Sequence, residues 1–352
     1  MSDNKNIRIK DIAKMAGVSV GTVDRVIHKR GKVAEDIQKK IEKVLKETGY
    51  KPNLLARTLG SNKAVKIAIL IPDPDQDEYW ALSQAGIDQS LQEWSQYNLE
   101  LSAHHFDLYD SSSFASIAQS VLDLQPDGVV AAPIFHHESL DFFGQLKKQN
   151  IPFVLFNTNL TELNPLSFIG QDLYQSGKVA GELLSYCIEP DDQIAVLHIS
   201  ESIENSVHLK AKESGLRDFV QKDYLVQSHD LNNVDDPNFE TEVERILREP
   251  ELGGVFVSTS KGTHIIASIL EQCDLRHIKL VGYDLLAKNL EHLQRGNVNF
   301  LINQNPKRMT LVGISHLTNY LLFHKDMPSK ELFPLEIITP QNVDSYIQSR
   351  IH

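Results

Sequence analysis

The chain has 352 residues, with 35 Lys and Arg against 47 Asp and Glu (formal net charge −12) and two cysteines, Cys187 and Cys273. The length exceeds what one small domain needs, and two cysteines exclude a disulfide framework. No secretory signal or membrane-length apolar run is present, so a cytoplasmic chain of more than one domain is expected.

The charge is uneven. Residues 1–63 hold 15 Lys and Arg and 7 Asp and Glu, whereas the remainder holds 20 and 40. This is the pattern of a basic module that meets a polyanion, attached to an acidic body that does not.

In chain order, Ile9, Ile12, Ala13 and Ala16 fall at i, i+3, i+4 and i+7 and predict a helix. Gly17 suits its left-handed stop, and Ser19 the N-cap of a second helix carrying Val23, Val26 and Ile27. Gly17, Ser19 and Gly21 also spell G-x-S-x-G, the nucleophile elbow of α/β hydrolases. That elbow needs a strand entering the serine, and here a helix enters, so Ser19 reads as a cap and the hydrolase as the lesser alternative.

On the second helix Gly21, Arg25 and His28 lie opposite the apolar side. An outward Arg25 can present its fork to a guanine edge, while Ser19, Thr22 and the helix N-terminus can hold phosphates. A third helix follows, with Ile37, Ile41, Val44 and Leu45 inward and Lys39, Lys40, Lys43 and Lys46 outward. "KPNLLARTLGSNK", residues 51–63, predicts a helix of about eight residues that forms only with help.

The stretches "IRIKDIAKMAGVSVGTVDRVI" and "VAEDIQKKIEKVLKETGYKPNLLARTLG" resemble the headpiece and hinge of the lactose/galactose repressor (LacI/GalR) family of bacterial transcription regulators. The resemblance implies that Val20, Gly21 and Arg25 read bases. It also implies that the hinge helices of two subunits pair in the minor groove, contributing Asn53, Ala56 and a wedging Leu59. The sequence departs from the usual family pattern at Asp24 and His28, where Ser and Asn are common.

From Val65 onward, short aliphatic runs alternate with amphipathic helices: "VKIAILI", "LELSAHH", "DGVVAA", "PFVLF", "QIAVLHI", "GGVFVS" and "IKLVGY". These predict parallel sheets covered on both faces, and about 285 residues suffice for two lobes. The expected fold class is α/β, with a helix-turn-helix headpiece (1–51), a hinge helix and linker (52–63) and a two-lobed parallel-sheet effector domain (64–352). No internal repeat is visible.

His104-His105 and His136-His137-Glu138 lack metal-ligand spacing, and no G-x-G-x-x-G or Walker loop occurs, so neither metal nor cofactor is expected. Polar stretches follow the strands instead: "PDPDQDEYW", "APIFHH", "FNTN", "STSK", "GYD" and "INQNP". Strand C-terminal ends are where open α/β sheets bind ligands.

The body resembles the type I periplasmic sugar-binding proteins. That resemblance implies Tyr79 and Trp80 as aromatics that sandwich a sugar ring, and Asp284 and Gln304 as partners of its hydroxyls. Asn157, Lys212 and Thr259 stand where Asp, Arg and Asn are usual.

The expectation is a ligand-responsive DNA-binding regulator, a repressor, with a carbohydrate or other polyhydroxylated effector. It should bind a palindromic double-stranded operator as a homodimer, since six residues after "ITPQNVDSY" are too few for a tetramerising heptad segment. A solute-binding protein without a DNA role is the other alternative.

Overall fold

The structure, a computed structural model, describes residues 9–27, 31, 33–48, 64–200, 203–221, 223–231 and 233–349. Contacts divide the chain into an N-terminal unit through Lys63 and a larger unit from Ala64.

The N-terminal unit contains α1 (Ile9–Ala16), α2 (Val20–Ile27) and α3 (Glu35–Thr48). Ile12, Ala13, Ala16, Val23 and Ile41 form its core, with Val26, Ile27, Ile37, Val44 and Leu45 packed against them. Gly17 adopts φ +66°, the left-handed stop that a side chain disfavours. Ser19 caps α2: its Oγ accepts from Thr22 N at 3.1 Å and its carbonyl from Val23 N at 3.2 Å. A helix enters the G-x-S-x-G turn, so the elbow geometry is absent.

The larger unit holds two sheets. The first contains β1 (Val65–Pro72), β2 (Leu99–Phe106), β3 (Gly128–Ala131), β4 (Phe153–Asn157) and β5 (Ser167–Gly170), completed by β11 (Lys330–Leu332). The second contains β6 (Gln193–Ile199), β7 (Leu225–Leu231), β8 (Leu252–Val257), β9 (Lys279–Tyr283) and β10 (Phe300–Asn303), completed by β12 (Glu336–Ile338).

Strand orders are β11-β5-β4-β3-β1-β2 and β12-β10-β9-β8-β6-β7. Pairing is parallel throughout except between β10 and β12. The second lobe therefore repeats the strand order of the first. The repeat is topological and is not visible in the sequence, because the two sets of strands share a pattern rather than residues.

Helices α4 (Glu78–Glu93), α5 (Ser111–Asp123) and α6 (His136–Lys148) cover the first sheet. Next in the chain, α7 (Leu173–Ser185) follows β5 of the first sheet yet packs on the second, against α8 (Val207–Val220). The crossing is close: a Cβ on Gly215 would lie 1.9 Å from the Tyr174 carbonyl oxygen, and one on Gly177 1.8 Å from that of Lys212. The second lobe is completed by α9 (Phe239–Leu247), α10 (Ser260–Gln272) and α11 (Ala287–Arg295). Conversely, α12 (Pro306–Phe323) follows β10 but packs on β3, β4, β5 and α4 of the first lobe. The last helix is α13 (Val343–Ser349).

Three segments thus cross between lobes, and one side chain ties them. Gln171 donates from Nε2 to Asn303 O at 2.8 Å and to Pro334 O at 2.7 Å. Among the described residues, no helix is long and apolar enough to cross a membrane.

Candidate functional site

In the N-terminal unit, Val23 is buried whereas Ser19, Val20, Gly21 and Arg25 are exposed, and Thr22 is half-buried. One face of α2 therefore anchors the helix while the other offers a guanidinium, two small residues and hydroxyls. Thr22 Oγ1 lies 2.8 Å from Ser19 Oγ, so the two hydroxyls meet at the helix N-terminus. His28, Asn53, Ala56 and Leu59, also expected to meet DNA, lie outside the described residues.

In the larger unit, a cavity of about 40 Å³ lies between the lobes at the C-terminal ends of both sheets. Tyr79, Trp80, Asn157, Lys212, Thr259 and Gln304, assembled from five separate stretches of sequence, all line it. Tyr79 and Trp80 occupy the first turn of α4, which is capped by Asp77 accepting from Tyr79 N at 2.8 Å. Both rings also belong to the first-lobe core: Trp80 meets Tyr79 edge-on at 4.9 Å and Phe156 at 6.4 Å between ring centres. Asn157 ends β4 and donates from Nδ2 to the Tyr79 hydroxyl.

Lys212 is only 3% exposed. Its Nζ donates to Ser258 O at 2.8 Å and sits 3.7 Å above the centre of the Tyr283 ring, so a carbonyl dipole and a π face replace the lost hydration. Thr259 is the N-cap residue of α10, but its hydroxyl makes no capping bond and is buried without a hydrogen-bond partner. The Ser200 hydroxyl, also on the cavity wall, is buried in the same way.

Asp284 differs from expectation. It is fully buried and absent from the cavity lining. Its carboxylate accepts from Gln304 N, Gln304 Nε2 and Ser260 Oγ, so protein donors occupy the place expected for ligand hydroxyls. Burial raises its pKa, while the bonds from Ser260 and Gln304 and the charge of Lys212 act in the opposite direction.

Further lining residues are Asp77, Ile134, Ser258, Ser260 and Lys261, from the strand-end stretches already quoted, Ile199 at the end of β6, and Leu108, Tyr109, Ser200 and His208, from segments that the sequence reading did not single out. His208 was legible in principle, because it precedes Lys212 by four residues on α8 and so shares its face. Ser200, Asn157, Asp284 and Asn305 follow or end strands with positive φ, between 59° and 67°. Such conformations are costly for residues other than glycine and cluster where strand ends form binding sites.

Behind the cavity wall, His198 Nδ1 pairs with Ser258 Oγ at 2.7 Å and Nε2 with Glu213 Oε2 at 2.8 Å. Glu213 also accepts from Arg217 Nε at 2.6 Å and from Ser228. The His198 bond leads these effects in pushing the Glu213 carboxyl down to about 2.

Direct contacts join the lobes across the cleft. Lys261 Nζ donates to Gln76 O at 3.2 Å and reaches the Tyr109 hydroxyl at 3.3 Å; Glu78 accepts from Ala287 N at 3.0 Å; and Asn205 donates to Glu138 at 3.2 Å.

A basic helix-turn-helix unit and a two-lobed body with a polar cleft define a ligand-responsive DNA-binding transcriptional regulator. Residues 8–53 match the family described as bacterial regulatory proteins, lacI family, and residues 67–325 match the periplasmic binding protein domain. The chain belongs to the periplasmic binding protein domain family, joined to a lacI-family helix-turn-helix domain.

A sucrose operon repressor of Streptococcus mutans is 24% identical over 96% of this chain and 99% of its own length. A chain from Bacteroides fragilis described as a LacI transcriptional regulator is 29% identical, with TM-score 0.75, covering 81% of this chain and all of that one. GanP, a glucose-galactose binding protein of Geobacillus stearothermophilus, shares the fold at 17% identity and TM-score 0.71, over 80% of this chain and 99% of its own.

Proposed function

We propose that the protein represses transcription as a homodimer on a palindromic operator and is controlled by a carbohydrate or related polyol held between its lobes. The observation that carries this reading is the cleft: polar and aromatic side chains from both lobes converge at strand C-terminal ends, in a chain that also carries the exposed Arg25 face. The similarity to a sucrose operon repressor supports the same reading.

Residues 1–51 form the reading head, 52–63 the hinge and 64–352 the effector and dimerisation domain. Val20, Gly21 and Arg25 meet bases, Ser19 and Thr22 meet phosphates, and Leu59 wedges between base pairs. Tyr79, Trp80, Asn157, Lys212, Thr259 and Gln304 contact the effector, and Asp284 acts through Gln304. A ligand that binds one arrangement of the lobes better than the other shifts the population and, through the hinge, the affinity for DNA.

Genome-wide binding followed by anisotropy titration on the recovered sequence tests the proposal. Specific binding to an inverted repeat that changes when a sugar is added supports it. Binding with no preference over random DNA, or a sugar response with no change in DNA affinity, overturns it.

A further inference from the structure

We propose that the effector carries an oxyanion, so that the cleft selects a sugar acid or a sugar phosphate over a neutral sugar. This inference rests on the ligand-responsive reading above and concerns the charge of the group bound there.

The lining bears two ammonium groups. Lys212, on α8, is almost wholly buried, and Lys261, in the first turn of α10, faces the same cavity. Three helices also begin there: α4 contributes Tyr79 and Trp80, α8 contributes His208, and α10 contributes Ser260. Their N-terminal dipole ends add partial positive charge and unshared N–H groups.

A neutral sugar is a hydroxyl donor that carboxylates hold well. Asp77 is the one carboxylate in the lining, and one of its oxygens is committed to the α4 cap; Asp284 is saturated behind Gln304 by three donors. The residue at the end of β4 is the neutral Asn157. Apart from Asp77, what faces the ligand is therefore cationic or uncharged, with Lys212 and Lys261 outnumbering the one carboxylate.

An independent observation points to a bound group. The Thr259 hydroxyl, in a residue more than nine-tenths buried on the cavity wall, has no partner, and neither has that of Ser200. A buried hydroxyl without a partner costs free energy that an incoming acceptor recovers. Together the lysines, the helix ends and Thr259 form a donor set suited to an oxygen-rich anion.

Thermal unfolding of the full chain with inorganic phosphate, D-glucose 6-phosphate, D-gluconate or D-glucose, each compared with sodium chloride at equal ionic strength, tests the inference. At least one oxyanion-bearing compound should raise the midpoint by about 4 °C at saturation while D-glucose leaves it unchanged. Response to the phosphates or to gluconate identifies the phosphate or carboxylate form. Lys212→Met should abolish the rise, and Lys212→Arg, which keeps the charge, should retain most of it.

A rise of equal size in Lys212→Met is a general salt effect and overturns the proposal, as does the absence of any rise. Stabilisation by D-glucose as large as by the anions also overturns it. Operator release by D-glucose alone would remove this inference and leave the regulator standing. An oxyanion rise in a protein without specific DNA binding would do the reverse.

Discussion

Gln304 is clamped by Asp284: its backbone N–H reaches one carboxylate oxygen at 2.7 Å and its side-chain Nε2 the other at 2.7 Å. The clamp sets a cavity-lining amide from a residue that does not itself line the cavity. Asp284→Ala would leave three buried donors without an acceptor, so stability should fall by about 2 to 4 kcal/mol along with the effector response. Urea denaturation and effector titration on the same variant check this. Unchanged stability with a lost response would return Asp284 to the role of a direct ligand contact.

Arg25→Ala should weaken operator binding by about 1 to 3 kcal/mol and relax preference at one base pair per half-site. Binding measured across a panel of operator variants gives the answer. Equal losses on operator and random DNA would make Arg25 a phosphate contact only.

The Glu213 carboxyl, held down to about 2 chiefly by His198, gives a pH signature. A carboxylate whose folded pKa lies below its unfolded value stabilises the fold above the unfolded pKa and loses that contribution on acidification. The loss should run from about pH 4.5 down through 2 and amount to on the order of 3 kcal/mol. Glu213→Gln should be less stable at neutral pH and show a shallower acid loss over that window. Parallel stability curves for the two proteins would show that the carboxylate is not preferentially stabilised in the fold.

Two glycines should respond with opposite signs. At Gly215 a methyl would strike the Tyr174 carbonyl oxygen, so Gly215→Ala should separate α7 from α8 and cost about 1 to 3 kcal/mol or more. Gly144, inside α6, has open space where a Cβ would go, and Gly144→Ala should stabilise by about 0.5 to 1 kcal/mol. Denaturation midpoints of both variants provide the comparison, and a stable Gly215→Ala would mean that the helix crossing is loose.

Much of the architecture was legible because periodicity is local. All seven quoted aliphatic runs coincide with strands, and six of them, all but the edge strand β2, are central parallel strands that are covered on both faces and must read as continuous apolar segments. The strands not quoted, β5, β7, β10, β11 and β12, are short or lie at sheet edges. The alternation in β7 leaves Leu225 exposed and only Leu231 fully buried, so apolar content is a weak signal there.

Ser19 illustrates the reach of local reading. A single turn of chemistry, helix to glycine to cap, separated an N-cap from a nucleophile without any tertiary information. The hydrogen bond from Thr22 N to the serine oxygen bears out the cap.

The sequence by itself therefore determined the three-helix unit, the uneven charge, the α/β alternation and the strand-end stretches that supply much of the cleft, because capping, period and strand-end position depend on neighbours in the chain. Only the tertiary structure decided which helix serves which lobe, that Gln171 ties three crossing segments, and that Asp284 holds Gln304 from behind. These depend on side chains brought together across 20 to 163 residues of separation. Whether a buried carboxylate faces a ligand or a protein donor is settled by the packing geometry around it, which no local pattern encodes.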